Sequence, residues 1–142
     1  PIFNYKNLFT TSSSNGELIQ VNTKGNVSLQ SLNLDKNHFI EATTKTLVSL
    51  SENNLNIKQK TYELDFGEYT APKIFYLNDK IYISVTDLET QKIYLFDSQA
   101  KMIINFPVYG NSAIDLANMD TDKALEFVVQ GESNSILVYK KN

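Results

Sequence analysis

The run Ile93-Tyr94-Leu95-Phe96-Asp97 ends in the polar turn Ser98-Gln99-Ala100-Lys101. A run of the same kind, Ile136-Leu137-Val138-Tyr139, ends in Lys140-Lys141-Asn142. Between them lies an acidic loop, Asn118-Met119-Asp120-Thr121-Asp122, flanked by apolar runs. Short β-branched and aromatic runs bounded by polar clusters read as strands joined by tight turns. A strand, an acidic turn and a repeated strand predict an array of small sheets.

The repeat extends backward. Strands of this kind start near Leu18, Leu55, Ile93 and Ile136, at spacings of 37, 38 and 43 residues. The strands before them start near Leu8, Leu47, Ile81 and Leu125, at spacings of 39, 34 and 44. Period-two alternation is plain in three runs: Ile81, Ile83 and Val85; Met102, Ile104 and Phe106; Leu125, Phe127 and Val129. Side chains two apart share one face of a strand. No long window places apolar residues at helical spacing. A period near 40 with about four strands per unit is the mark of β-propeller blades. The expected fold is therefore all-β: one domain over residues 1–142, a propeller-like array of about four small antiparallel blades at 2–34, 38–66, 73–108 and 113–139. The third is clearest, with strands expected at 74–77, 81–86, 93–97 and 102–108. The fourth lacks an outer strand. Ile2-Phe3-Asn4-Tyr5 is one candidate to fill it; a strand outside this chain is the other. The alternative fold is a β-sandwich with coincidental spacing.

Composition narrows the function. With 142 residues, 42% hydrophobic and 20% charged, the chain can bury a core and is globular. All basic residues are lysines, spread along a chain of formal net charge −3, which argues against nucleic-acid binding through a phosphate-tracking face. No apolar run approaches the length of a membrane span. Without cysteine there is no disulfide, thiolate nucleophile or cysteine-based metal site. The chain opens at Pro1 without an initiator methionine, so it is expected to be a piece of a longer precursor.

The last fifty residues resemble a known family. Ile93-Tyr94-Leu95-Phe96-Asp97-Ser98, Phe106-Pro107-Val108, Ile114-Asp115-Leu116-Ala117-Asn118-Met119-Asp120 and Leu125-Glu126-Phe127-Val128-Val129 are similar to blades of bacterial FG-GAP and VCBS-like repeats and their relatives among PQQ-type propellers. The resemblance is good over residues 73–140 and weak over the first seventy. It implies the C-terminal part of a larger bacterial envelope protein, in the cell envelope or periplasm. Some relatives carry a ribonuclease HII designation. That chemistry needs several carboxylates converging on an RNase H-type sheet, whereas the acidic residues here fall mostly at predicted turns.

The resemblance also implies a calcium loop. Counting from Asn118 as position one, the ligands would be Asn118, Asp120, Asp122, the Ala124 carbonyl and Glu126. Calcium takes six to eight such oxygens. Two departures weaken the match. Asn118 replaces an aspartate, and Lys123 stands where a glycine normally makes the sharp turn. The plainer reading is a metal-free turn in which Asp side chains cap backbone N–H groups. The expectation is no cofactor, with calcium at this loop the one open alternative.

Other candidates are interaction residues. The loops expected on one face of a propeller bring forward Glu68, Tyr69, Tyr109 and Asn111 as a partner surface, because tyrosine and asparagine combine contact area with hydrogen bonding. Their plainer reading is solvated turns, with Tyr69 and Tyr109 packing on neighbouring blades. His38, the single histidine, has no serine or carboxylate placed by motif beside it and reads as a turn residue opening the second blade. The eight Phe and eight Tyr, with no Trp, read as blade packing rather than a cofactor box. Lys140-Lys141 reads as a solvated end. Glu41, Asp87 and Asp115 are the carboxylates that a propeller glycosidase could bring to a central axis. The expected role is therefore a non-catalytic module for structural or protein-interaction work. Its partner would be another protein, the rest of its own chain, or a second copy paired through open blade edges. A calcium- or ligand-binding sensor is the alternative, and a hydrolase ranks last.

Overall fold

Two-residue turns set the architecture. A type I′ hairpin needs positive φ at both central residues, which Asn and Asp tolerate best. Such pairs occur at Lys6-Asn7 (φ 51 and 60), Lys58-Gln59 (49 and 69) and Asn78-Asp79 (51 and 59). Each joins adjacent strands, so the chain turns straight back on itself. The computed structural model describes residues 1–141 and is all-β, with one three-residue 3₁₀ turn, Glu132–Asn134, among the described residues.

Among the described residues, fifteen strands form four open antiparallel sheets, each with its strands in sequence order. The first holds β1 (Phe3–Tyr5), β2 (Leu8–Ser12), β3 (Glu17–Val21) and β4 (Val27–Ser31); the second holds β5 (His38–Ala42), β6 (Leu47–Ser51), β7 (Asn54–Ile57) and β8 (Lys60–Glu63). The third holds β9 (Lys73–Leu77), β10 (Lys80–Asp87), β11 (Lys92–Asp97) and β12 (Val108–Tyr109); the fourth holds β13 (Asp115–Ala117), β14 (Leu125–Gln130) and β15 (Ile136–Lys141). The chain divides into two compact units, residues 1–66 with the first two sheets and residues 67 onward with the last two. Among the described residues, no helix is long and apolar enough to cross a membrane.

Turn chemistry repeats along with the strands. After β3, the Asn22 carboxamide oxygen accepts from the N–H groups of Lys24 and Asn26 at 3.0 and 2.9 Å. After β11, Asp97 accepts from Gln99 and Lys101 at 2.8 and 3.0 Å. Both are side-chain caps at the same turn of the meander, and they satisfy N–H groups that would otherwise lack partners.

Two expectations are corrected. The strand expected at 102–108 shrinks to β12. Met102 makes an isolated bridge to Phe96, the chain then turns at Asn105 (φ 70), and Pro107 has no N–H for a ladder. Ile104 is left 81% exposed. Ile2-Phe3-Asn4-Tyr5 does not complete the fourth sheet: Phe3–Tyr5 is the first strand of the first sheet, in register with β2.

In the second unit, one face of the third sheet (Phe75, Tyr82, Ile93, Leu95) meets one face of the fourth (Leu116, Leu125, Phe127, Val129) together with Ile114. Leu77, Ile103, Phe106, Val108, Leu137 and Tyr139 complete this core. Gly110 sits where a Cβ would fall 2.4 Å from Ile93 and 2.8 Å from Val129, so the link between these two sheets has no room for a side chain. In the first unit, Leu18 is 2% exposed, and Val48, Leu55 and Ile57 are fully buried. A cleft of about 510 Å³ there is lined by hydrogen-bonding side chains, among them Gln20, Gln30, Ser49 and Asn56.

Candidate functional site

The acidic loop between β13 and β14 folds around its own side chains. Asp120 Oδ1 accepts from the Asp122 N–H at 2.9 Å, and Asp122 Oδ1 accepts from the Ala124 N–H at 2.7 Å. Glu126 Oε2 accepts from the Met119 N–H at 2.9 Å, and the Asn118 side-chain amide donates to the Asp122 carbonyl at 3.1 Å. These bonds bring one oxygen each of Asp120, Asp122 and Glu126 within 4.8 Å of one another, an arrangement that could hold a metal.

A cation of the chain's own lies there. Lys140 Nζ is 2.5 Å from Asp122, 3.1 Å from Asp120 and 3.5 Å from Glu126. Register explains it: in the β14–β15 hairpin Lys140 stands directly opposite Glu126, so its side chain reaches over the loop. The Lys140 hydrogen bond holds the Asp122 carboxyl below its ordinary value, and Asp122, then Asp120, raise the Lys140 ammonium above its own. Three carboxylates around one ammonium leave no room for the six to eight oxygens of a calcium ion at 2.3–2.6 Å unless Lys140 withdraws. In this arrangement the loop does not fit calcium. The cation of the loop is Lys140, not Lys123, and this corrects the reading of Lys140-Lys141 as a solvated end. Lys141 also has a place, its ammonium 5.7 Å from the centre of the Tyr82 ring. The signal was present in the sequence, but it emerges only once β14 and β15 are paired.

The expected partner surface separates into two kinds of residue. Glu68 and Tyr109 reach solvent; Tyr109 is 36% exposed and its carbonyl accepts from the Tyr139 hydroxyl at 2.8 Å. Tyr69 is buried, bridges to Asp87 and lies 6.2 Å from the Tyr94 ring, so it belongs to the packing and not to a surface. Asn111 is half-buried and works as a clamp: its N–H donates to the Gln130 carbonyl at 3.0 Å and its side chain donates to the Gly131 carbonyl at 3.2 Å.

The carboxylates proposed for a central axis have other occupations. Asp87 is fully buried at the end of β10. Its oxygens accept from the Thr90 hydroxyl at 2.5 Å and from the N–H groups of Glu89 and Glu68 at 3.0 and 3.2 Å. Burial alone would push this carboxyl up, but the hydrogen bonds outweigh it and the group titrates below its ordinary value. Asp115 is exposed and pairs with Lys73 at 3.6 Å. Glu41 lies in β5 of the first unit. Among the described residues, Asp120, Asp122 and Glu126 are the one group of three acidic side chains that converge.

His38 does acquire a serine. Its Nδ1 lies 2.6 Å from the Asp35 carbonyl and its Nε2 lies 2.8 Å from Ser12 Oγ. A carbonyl only accepts, so Nδ1 carries the proton and, in the neutral ring, Nε2 accepts from the serine hydroxyl. The far partner is a backbone carbonyl rather than a carboxylate. The contact ties the end of β2 to the start of β5. No family model, curated protein or solved structure matches this chain.

Proposed function

We propose that this chain is a non-catalytic β-propeller-like module of four meander blades, serving a structural or protein-interaction role. The observation that carries the reading is the succession of four antiparallel meanders with third strands starting at Glu17, Asn54, Lys92 and Ile136. Strands in strict sequence order within each sheet favour blades over the crossed connections of a Greek-key sandwich. The absence of a catalytic role is supported by Asp87, whose buried oxygens are taken up by turn N–H and O–H groups. Glu68 and Tyr109 are the side chains that offer contact on the loop face.

The converging carboxylates favour a second reading, a cation sensor at residues 118–126. Calcium titration by calorimetry separates the two. In the module reading Lys140 neutralises the loop, so the unaltered chain gives no saturable heat and no rise in melting temperature. Lys140→Met, which leaves three carboxylates without their cation, gains saturable binding. Saturable heat with the unaltered chain would establish the sensor reading instead.

A further inference from the structure

The cleft of the first unit occupies a place that the second unit fills with a core. Its walls are one face of the first sheet and one face of the second. In the first sheet Leu18 pairs with Gln30, and Gln20 lies two residues from Leu18 on the same face. In the second, Ser49 pairs with Asn56 and Ser51 with Asn54, again on one face. The repeat gives the matching residues of the second unit. Counted from the strand starts Leu18 and Ile93, Gln20 matches Leu95; counted from Leu47 and Leu125, Ser49 matches Phe127 and Ser51 matches Val129. Leu95, Phe127 and Val129 are buried in the apolar core of the third and fourth sheets. Their counterparts instead line about 510 Å³ of open space. Ser49 faces that space while only 8% exposed, and among the described residues its hydroxyl has no hydrogen-bond partner. A buried hydroxyl of this kind costs stability unless something outside the chain satisfies it.

We propose that this cleft binds a short acidic saccharide, one whose sugar rings carry a carboxylate. Amide and hydroxyl side chains both donate and accept, as sugar hydroxyls do. A ligand rich in hydroxyls reproduces the hydrogen bonds of the water it displaces. Leu8, Leu18 and Leu47 supply apolar ground for the C–H faces of a sugar, and the volume is ordinary for a small-molecule site. The charges select an anion. Lys6 and Lys58 line the cleft from two hairpin turns. The Lys6 N–H donates to the Thr44 carbonyl at 2.8 Å and the Lys58 N–H to the Leu47 carbonyl at 3.3 Å, which brings both turns to the start of β6. Neither ammonium has a carboxylate partner among the described residues, so both can make charge-assisted hydrogen bonds to a ligand carboxylate. Asp35, the one acidic lining residue, stands at the other end of β6, where the Ser51 hydroxyl donates to it at 3.0 Å. Both walls belong to the first unit. Pro1 lies on the opposite face of the first sheet, where its carbonyl accepts from Thr11.

Titration of the ¹⁵N-labelled chain with galacturonate and mannuronate trisaccharides, and with neutral maltotriose, followed by NMR, tests this. The expected result is a saturable shift of the side-chain amide signals of Gln20, Gln30 and Asn56 with a uronate trisaccharide, with Kd of about 1 mM or below. Maltotriose is expected to bind about tenfold more weakly. Gln20→Ala is expected to weaken uronate binding about fivefold. Lys6→Met combined with Lys58→Met, at two exposed turns, is expected to weaken it about tenfold with an unchanged melting temperature. Lys101→Met, in the second unit, is expected to leave it unchanged. The absence of a saturable shift with both uronates overturns the proposal, as does binding that Lys101→Met weakens as much as the paired lysine variant does.

Discussion

Phe127→Ala is expected to destabilise the protein by about 4 kcal/mol, the largest effect of any single substitution considered. Phe127 is 3% exposed on the inner face of β14. Its ring stacks on Tyr139 with centroids 4.8 Å apart and planes 11° from parallel, and Phe106 tilts against it at 5.5 Å. Truncation removes the transfer energy of the ring, the aromatic contacts and the support of three core elements together. Phe106 depends on this contact most, because its segment from Met102 to Pro107 forms no continuous ladder. Denaturant titration is expected to lower the midpoint, and heating to lower Tm by roughly 15 °C. Phe127→Leu, which keeps most of the volume, is expected to lose no more than about half as much.

Asp87→Ala ranks second, at about 3 kcal/mol. The carboxylate is the shared acceptor for Glu68, Glu89 and Thr90, so removing it leaves three turn donors without their acceptor at once. The same carboxylate holds the segment at Gly67–Glu68 against β10. At Gly67 a Cβ would fall 2.5 Å from Asp87 Oδ2, so Gly67→Ala is expected to disturb the same network. Asp87→Asn keeps the shape and one acceptor oxygen and is expected to cost about half as much. The pH dependence has a definite sign. The folded carboxyl titrates below its ordinary value, so its contribution is fully present above the unfolded pKa of about 3.9 and is lost as pH falls through the folded pKa. Denaturant titrations at neutral and acidic pH are expected to show a smaller acid loss in Asp87→Asn than in the unaltered chain.

The sheets were legible in the sequence because they rest on local signals. Alternation in Ile81–Val85 and Leu125–Val129, and polar turns at regular spacing, depend only on neighbouring residues. The third strands accordingly begin within a residue of where the pattern puts them. Residues 102–108 misled for a physical reason: alternation of Met102, Ile104 and Phe106 does not reveal that Asn105 adopts positive φ or that Pro107 breaks the ladder. The site was legible in part. The carboxylates Asp120, Asp122 and Glu126 were visible as a loop and do converge, whereas their cation is eighteen residues from Asp122 and becomes apparent only with the β14–β15 register. Asp87 had a local signal, an aspartate closing a strand with a threonine three residues on, which marks a side-chain-capped turn better than a catalytic acid. The burial of Tyr69 depends on packing that no local pattern encodes.

The propeller arrangement is tested most directly by distances between spin labels in a cysteine-free chain, where each introduced cysteine is unique. One pair, Tyr76→Cys and Asp115→Cys, labels the first strands of the third and fourth sheets, both in the second unit; another, Tyr109→Cys and Val138→Cys, labels their last strands. If the blades radiate from an axis, the first strands lie innermost. The outer pair is then expected to be farther apart than the inner pair by roughly 10–15 Å, from strand spacings near 4.8 Å in two neighbouring blades. Equal distances, or a shorter outer pair, would contradict the radial arrangement and with it the module reading.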